Sequence, residues 1–471
     1  MVLSKTTCLV TSALLLTLGG MSQSTINTTF NLTPGYDGGW TILPVAAGGY
    51  VIFGNQYSSI GAKADAFCLR VDNEGKKVFH RSFGAPNTEE TFGRGAVALA
   101  DGWLVGGTRS VPPQGWLLRL NTDGQIVWEK TYTSITKINQ LLPLPTGEYL
   151  AIGAGPLGGG MALARLSADG TIIWQRSYAL PEPRDGYLTA SGNACIVLSS
   201  DRISKIHLGT RDVVWSRKVS FPSLPPGAPE AATLTDIAPA SKGLFAVIGS
   251  VYRELPTALY TAHYAAVWTE SGELRWDRYF RGAARADYDE NAGFGVTYLP
   301  NAQHILFTGK VGDNISITRT DLNGHLIDQK EIVTPGPVYA ATLIRDGARY
   351  AMTGAVFVGS MATYFYRSNG NALSMHVNNS DLFAETPADR WELLHNPAQD
   401  RAWIVSNVHN VPREGIFRLW TLNGSLAREF RLWLTEGENL FPLDLSGLPE
   451  GLYWLAQVGE AAPPKALLLR R

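Results

Sequence analysis

Apolar and polar residues alternate along this chain with a period of two, in short runs broken by glycine-bearing turns, and sustained helical periodicity is hard to find after the N-terminus. The clearest run is Arg119-Leu-Asn-Thr-Asp-Gly-Gln-Ile-Val-Trp-Glu-Lys-Thr-Tyr132, two alternating strands around Asp123-Gly124, which is a strong β-hairpin signature. The unit returns at Arg165–Trp174 and Val267–Trp276, and in weaker form at Arg70–Phe79, Lys205–Trp215, Arg319–Asp328 and Arg367–Ser374. Upstream of each copy an apolar strand ends in a small residue, at Gly54, Gly107, Gly153, Ser199, Gly249, Gly309 and Gly354.

A four-strand unit recurring every 40 to 60 residues or so is the mark of a β-propeller. The expected fold is therefore all-β, a seven-bladed propeller with blades over 38–84, 92–133, 137–179, 186–221, 231–281, 292–333 and 337–379. A ring must close, and Thr28–Thr33 is expected to pair with the last blade. Phe79, Trp128, Trp174, Trp215 and Trp276 recur at one offset, which predicts packing between blades rather than a ligand platform. Asp328 and Ser374 hold that offset in the last two copies, so the ring is expected to be less regular there.

Residues 1–24 read as a secretory signal, with Lys5 before an apolar core from Cys8 to Leu18 and small residues Gly19, Gly20, Ser22 and Ser24 after it. The apolar run is too short to span a bilayer. Cys68 and Cys195 then remain, in different repeats, and are expected to be buried free thiols. A net charge of -1 leaves no basic field for nucleic acid or an anionic membrane. The 49 glycines and 13 tryptophans suit many tight turns and aromatic packing.

After Asn379 the texture changes. Residues 380–394, with Pro387 and mixed charge, read as a linker, and 395–471 as a small antiparallel β-sandwich joined by Asn-Gly and Pro-Glu-Gly turns. Its phrases are an Asn396-Pro397 opening, an Asn423-Gly424 hairpin, Ser446-Gly-Leu-Pro-Glu-Gly-Leu-Tyr453 and a basic end at Arg470-Arg471. In that order they resemble the immunoglobulin-like C-terminal sorting domain of type IX secretion cargo in Bacteroidota. The resemblance implies passage through the periplasm and outer membrane, docking of 395–471 on the secretion machinery, and a cell-surface or released product. Glu414-Gly-Ile-Phe417 departs from the longer polar–apolar alternation of that family. Residues 38–379 are similar to bacterial secreted repeats of the form "Gly-Gly-Tyr-x-x-x-Gly … Leu-x-x-Asp-Gly-x-x-x-Trp".

Chemistry is sparse. The Asp-Gly corners invite comparison with sialidase Asp-boxes and quinone-enzyme repeats, but Asp or Asn before Gly supplies the left-handed turn a hairpin needs, and Glu74, Ser271 and Asn323 substitute there without shared chemistry. His80, His207, His263, His304, His325, His376, His395 and His409 are scattered singly, none at ligand spacing. The glycine-rich 153–160 joins strands rather than opening a helix, so it is no nucleotide loop.

Loops held by a rigid scaffold are the better lead. In the fifth copy, 251–263 and 281–291 interrupt the pattern and offer Tyr252, Arg253, Glu254, Tyr260, His263, Arg285, Asp287, Tyr288 and Asp289, a set suited to a sugar or peptide surface. Asp37, Glu89, Glu90 and Asp185 add an acidic ring on the same face, where calcium is the one cofactor left open. The sequence thus predicts a secreted or surface binding scaffold for a glycan or protein, with a polysaccharide hydrolase or lyase as the rival.

Overall fold

The computed structural model describes residues 25–59, 62–85, 88–110, 112–156, 160–219, 230–241, 243–255, 258–280, 292–347, 349–368, 390–394, 398, 400–408, 413–421, 425–434, 437–457 and 465–470. Among them every regular element is a strand, and no helix is long and apolar enough to cross a membrane.

Between 26 and 367 the strands form seven four-stranded antiparallel sheets. Six are consecutive meanders, at 36–83, 90–132, 137–178, 183–218, 230–280 and 292–332. The seventh joins Val338–Asp346, Arg349–Phe357 and Met361–Arg367 to the N-terminal strand Ile26–Phe30, which pairs with the last of them from Ile26 opposite Arg367 to Phe30 opposite Thr363. The expected closing strand is present, two residues earlier than its sequence placement at Thr28, and it is the outer strand of this sheet among the described residues; 369–374 of the expected last hairpin lie outside them.

The first strand of each sheet lies against the first strand of the next, and Val338–Asp346 lies against both Ala292–Leu299 and Tyr36–Pro44. These are repeated, propeller-like units. Asp37 ties the ends together: one carboxylate oxygen accepts from Thr363 N and Oγ1 at 2.7 and 2.6 Å, the other from Leu32 N at 3.0 Å.

Each of the six consecutive sheets ends in the recurrent hairpin, and its turn grips the preceding sheet. At Asn121–Gln125 the turn closes by Gly124 N donating to Asn121 O at 3.0 Å, while the Asn121 side chain accepts from Asp123 N and Gln125 N. Gly124 takes φ +72°, giving a type I turn with a glycine bulge. The left-handed residue is thus the glycine and not the Asp or Asn before it; among described non-glycine residues only Arg211 and Gln303 have positive φ.

A Cβ on Gly124 would meet the Phe79 ring at 2.7 Å, and on Gly170, Gly272 and Gly324 it would meet Trp128, Trp215 and Trp276 at 3.0, 2.9 and 2.7 Å. Each aromatic ring therefore lies on the turn of the following sheet, as the recurring offset predicted. Trp215 and Trp276 also donate Nε1 to Glu270 O and Leu322 O, at 3.1 and 2.9 Å. Where the fourth sheet lacks the glycine, Arg211 takes φ +65° and its guanidinium lies 5.4 Å from the Trp174 ring centroid. Asp328 replaces the ring in the sixth sheet and pairs with Arg319, Oδ1 to Nε at 3.0 Å.

Cys68 and Cys195 are buried and unpaired, as expected. Past the repeats, a three-stranded sheet (390–394, 401–408, 437–444) and a four-stranded sheet (413–421, 426–434, 451–457, 465–469) share one core of Trp391, Ile404, Phe417, Leu419, Leu443, Tyr453 and Leu455. Its first strand, Arg390–Leu394, pairs with Arg401–Val408, so the smaller unit begins inside the span expected to be linker. Trp391 is buried there, and a lone inward tryptophan in a charged stretch carries no alternation to read.

The ring-on-glycine contact predicts that Gly324→Ala costs about 1–2 kcal/mol for the left-handed backbone alone, plus displacement of Trp276. Trp276→Ala should cost about 2–4 kcal/mol as a cavity. Both should lower the urea midpoint of the 26–367 unit, and unchanged midpoints would show that the contact does not hold the sheets together.

Candidate functional site

The innermost strand of every repeat breaks its pairing at one equivalent place. The register skips Trp40, Gly93-Arg94-Gly95, Asn139, Arg184, Thr235, Phe294 and Tyr339 in the seven sheets in turn. A bulge leaves a residue unpaired and re-aims its side chain, and here the seven bulges lie on the strands that pack against one another at the centre. The second is the widest. A Cβ on Gly95 would stand 2.5 Å from Leu141 N, so only glycine lets that bulge press against the third sheet.

Five bulge residues, Trp40, Arg94, Asn139, Arg184 and Thr235, line a cavity of about 600 Å³, with Asn55, Thr91, Phe92, Lys137, Glu182 and Ser200 among its other walls. Most of the wall comes from the opening residues of inner strands, with Ser200 from a second-to-third-strand turn. The cavity therefore lies on the face that carries the inter-sheet connections.

Arg94 crosses its floor. Nη1 donates to Thr235 O at 2.8 Å and lies 3.3 Å from Asp236 Oδ1, and Nη2 reaches Phe294 O at 3.4 Å, so one side chain of the second sheet fastens the fifth and sixth. Beneath it Asp185 and Asp236, 4% and 8% exposed, share a hydrogen bond. Asp185 Oδ1 accepts from Gln140 Nε2 at 2.6 Å and Gly186 N at 2.7 Å, and Asp236 Oδ2 accepts from Val296 N at 2.8 Å. Burial first, then the bond to and charge of Asp185, push Asp236 well above the usual carboxylate range against the pull of Arg94. Asp236 is thus held toward its protonated form.

On the rim, Glu182 Oε1 accepts from Lys137 Nζ at 3.0 Å and Asn139 Nδ2 at 3.4 Å, and Asn139 also donates to Pro183 O at 2.5 Å. Arg184 is exposed, and desolvation in the channel mouth followed by the charge of Arg94 lowers its guanidinium from the ordinary value.

The residues singled out from the sequence fall elsewhere. Tyr252, Arg253 and Glu254 lie on the twelve-residue strand Leu244–Leu255 and pair with Thr261, Tyr260 and Leu259 of Ala258–Thr269, so the interruption is a lengthened hairpin rather than a loop. Arg285, Asp287, Tyr288 and Asp289 lie outside the described residues. His263 is 1% exposed and shares a 2.8 Å hydrogen bond between Nε2 and Lys310 O; burial pulls it down to about 4, so it is a neutral core residue.

Three of the four residues of the acidic ring are committed inward as well, while Glu89 is half-buried. Asp37 and Asp185 are buried with the partners above, and Glu90 is fully buried against Arg109 Nε at 3.0 Å and Thr88 Oγ1 at 2.6 Å. Among the described residues no three His, Cys, Asp or Glu side chains gather as a metal site. Sequence reading missed the bulge residues because a bulge has no composition of its own. Stacking the seven inner strands on their apolar ends would have shown one position where alternation fails.

No family model matches the chain. The anaphase-promoting complex subunit cut9 of Schizosaccharomyces pombe is 28% identical over 117 residues, 23% of this chain, which spans only 17% of that protein. A crystal structure of a protein of unknown function from Bacteroides caccae aligns with a TM-score of 0.34 at 14% identity, over 51% of this chain and 81% of that one. Likenesses of this extent assign neither a fold nor an activity.

The proton on Asp236 has a pH signature. Its folded value lies above its unfolded one, so the stability it contributes is complete below about pH 4 and is lost as pH rises through the folded value. Between pH 4 and 8 the urea midpoint of the wild type should fall relative to that of Asp236→Asn, the variant lacking this loss. Parallel curves would contradict a raised Asp236.

Proposed function

We propose that this chain is a secreted or cell-surface binding protein, a closed seven-bladed propeller with an immunoglobulin-like sorting sandwich, whose ligand is a glycan seated in the mouth of the central channel. The observation that carries the reading is the cavity of about 600 Å³ walled by bulge residues of five sheets. Its size is that of an ordinary small-ligand site, and its wall combines the Trp40 ring with amide, hydroxyl and charged groups, which suits a sugar's apolar face and hydroxyl rim.

A hydrolase or lyase reading draws on the Asp185–Asp236 pair. Carboxyls in direct hydrogen bond are closer than the roughly 5 Å or more that glycoside hydrolysis uses, both are held by backbone N–H groups, and Arg94 lies against Asp236. Binding is therefore the better fit.

A glycan array probed with the chain from residue 25, followed by calorimetry of the hits, tests the reading. Ser200→Trp, at the cavity wall, should abolish binding without lowering the melting temperature. A hit unaffected by Ser200→Trp would move the site elsewhere, and an array without hits would remove the glycan. For export, deleting 390–471 should leave the protein inside the cell envelope, and normal surface delivery of that truncation would refute the sorting role.

A further inference from the structure

The walls of the cavity carry more positive than negative charge, and the way each charge is partnered selects a ligand. Of the cations, Lys137 is matched by Glu182 at 3.0 Å. Arg94 is occupied by Asp236, Thr235 O and Phe294 O. Arg184 is different. It occupies the bulge between Pro183 and Asp185, it lines the cavity, and no hydrogen bond or ion pair joins it to another described residue.

The nearest carboxylates make no hydrogen bond to it, and Glu182 attracts it through charge alone. Asp185, next in sequence, is engaged by Gln140, by Gly186 N and by Asp236 below the floor, and Glu182 Oε1 already accepts two donors. Arg94 stands close enough that its charge opposes that of Arg184. A guanidinium beside a like charge, with its fork of N–H donors unanswered, is a carboxylate receptor. Trp40 supplies an aromatic wall in the same cavity, and its indole Nε1, shielded from solvent, finds no acceptor among the described residues.

We propose that the ligand is an acidic sugar, a pyranose bearing a ring carboxylate, with that carboxylate held by Arg184. The inference rests on the reading of the channel mouth as the glycan site. It excludes neutral glycans, which would leave Arg184 without a partner on binding and take Arg94 and Arg184 further out of water together.

The test is calorimetry of the full chain from residue 25 with three probes: a galacturonate trimer, the same trimer as its methyl ester, and a neutral galactose trimer. The acid should bind, and the ester and neutral trimers should bind about 10- to 100-fold more weakly. Arg184→Gln should remove a similar factor for the acid and nothing for the ester, Arg184→Lys should restore part of it, and added salt should weaken only the acid. Equal binding of acid and ester, or an acid affinity unchanged in Arg184→Gln, would overturn the acidic-sugar inference. If neutral trimers bind and Ser200→Trp abolishes their binding, the channel-mouth reading survives this failure. If none of the three binds, the acidic-sugar inference falls, and the array result alone then decides whether the channel-mouth reading falls with it.

Discussion

The outer aromatic ring of one sheet rests where only a glycine can leave room, on the turn of the next, and the arrangement of the repeats follows from that contact. Sheets made only of backbone ladders have no preferred neighbour, whereas Trp128 on Gly170 or Trp276 on Gly324 fixes both the partner and the angle. The same residue answers two demands there: glycine permits the positive φ of the turn and the close approach of the ring. The fourth sheet shows that the contact can be rebuilt when the glycine is missing, since Arg211 accepts the left-handed backbone and lays its guanidinium on Trp174. A cation reinforces the same edge at Lys130, whose Nζ lies 5.8 Å from the Trp128 centroid and 3.2 Å from Asp169 Oδ2.

Once the outer edges are fixed, the inner strands are brought together at the centre, and bulges of five sheets that would each be a local irregularity become the wall of one cavity. The charge there is handled in layers. Two carboxyls are buried below the cavity, Arg94 from the second sheet lies against one of them, and Arg184 is left at the mouth. Burial and the neighbouring Asp185 outweigh the single Arg94 contact, which is why Asp236 is held toward its protonated form.

Much of this was legible. Alternation with a period of two, a turn glycine and an aromatic at constant offset are local signals, so the hairpins, the repeat spacing and the packing role of Phe79, Trp128, Trp215 and Trp276 could be read directly. Ring closure was legible because an orphan strand at the N-terminus had no other partner. The site was not. Asp37, Glu90 and Asp185 look like loop acids in a one-dimensional reading, but exposure depends on which neighbour folds over them, and His263 fails for the same reason. Arg94 and Arg184 carry no motif, and their meaning arises only when sheets distant in sequence face each other across the channel. The strand at Arg390–Leu394 was hidden by its charges, with Trp391 its one inward anchor.

The central claim is that a ligand sits where the bulges converge rather than on the lengthened hairpin of the fifth sheet. Amide hydrogen exchange with and without a saturating acidic trisaccharide tests this most directly. The account predicts slowed exchange at Thr91–Arg94, Lys137–Asn139 and Glu182–Arg184 with no change along 251–263. Protection confined to 251–263 would contradict it.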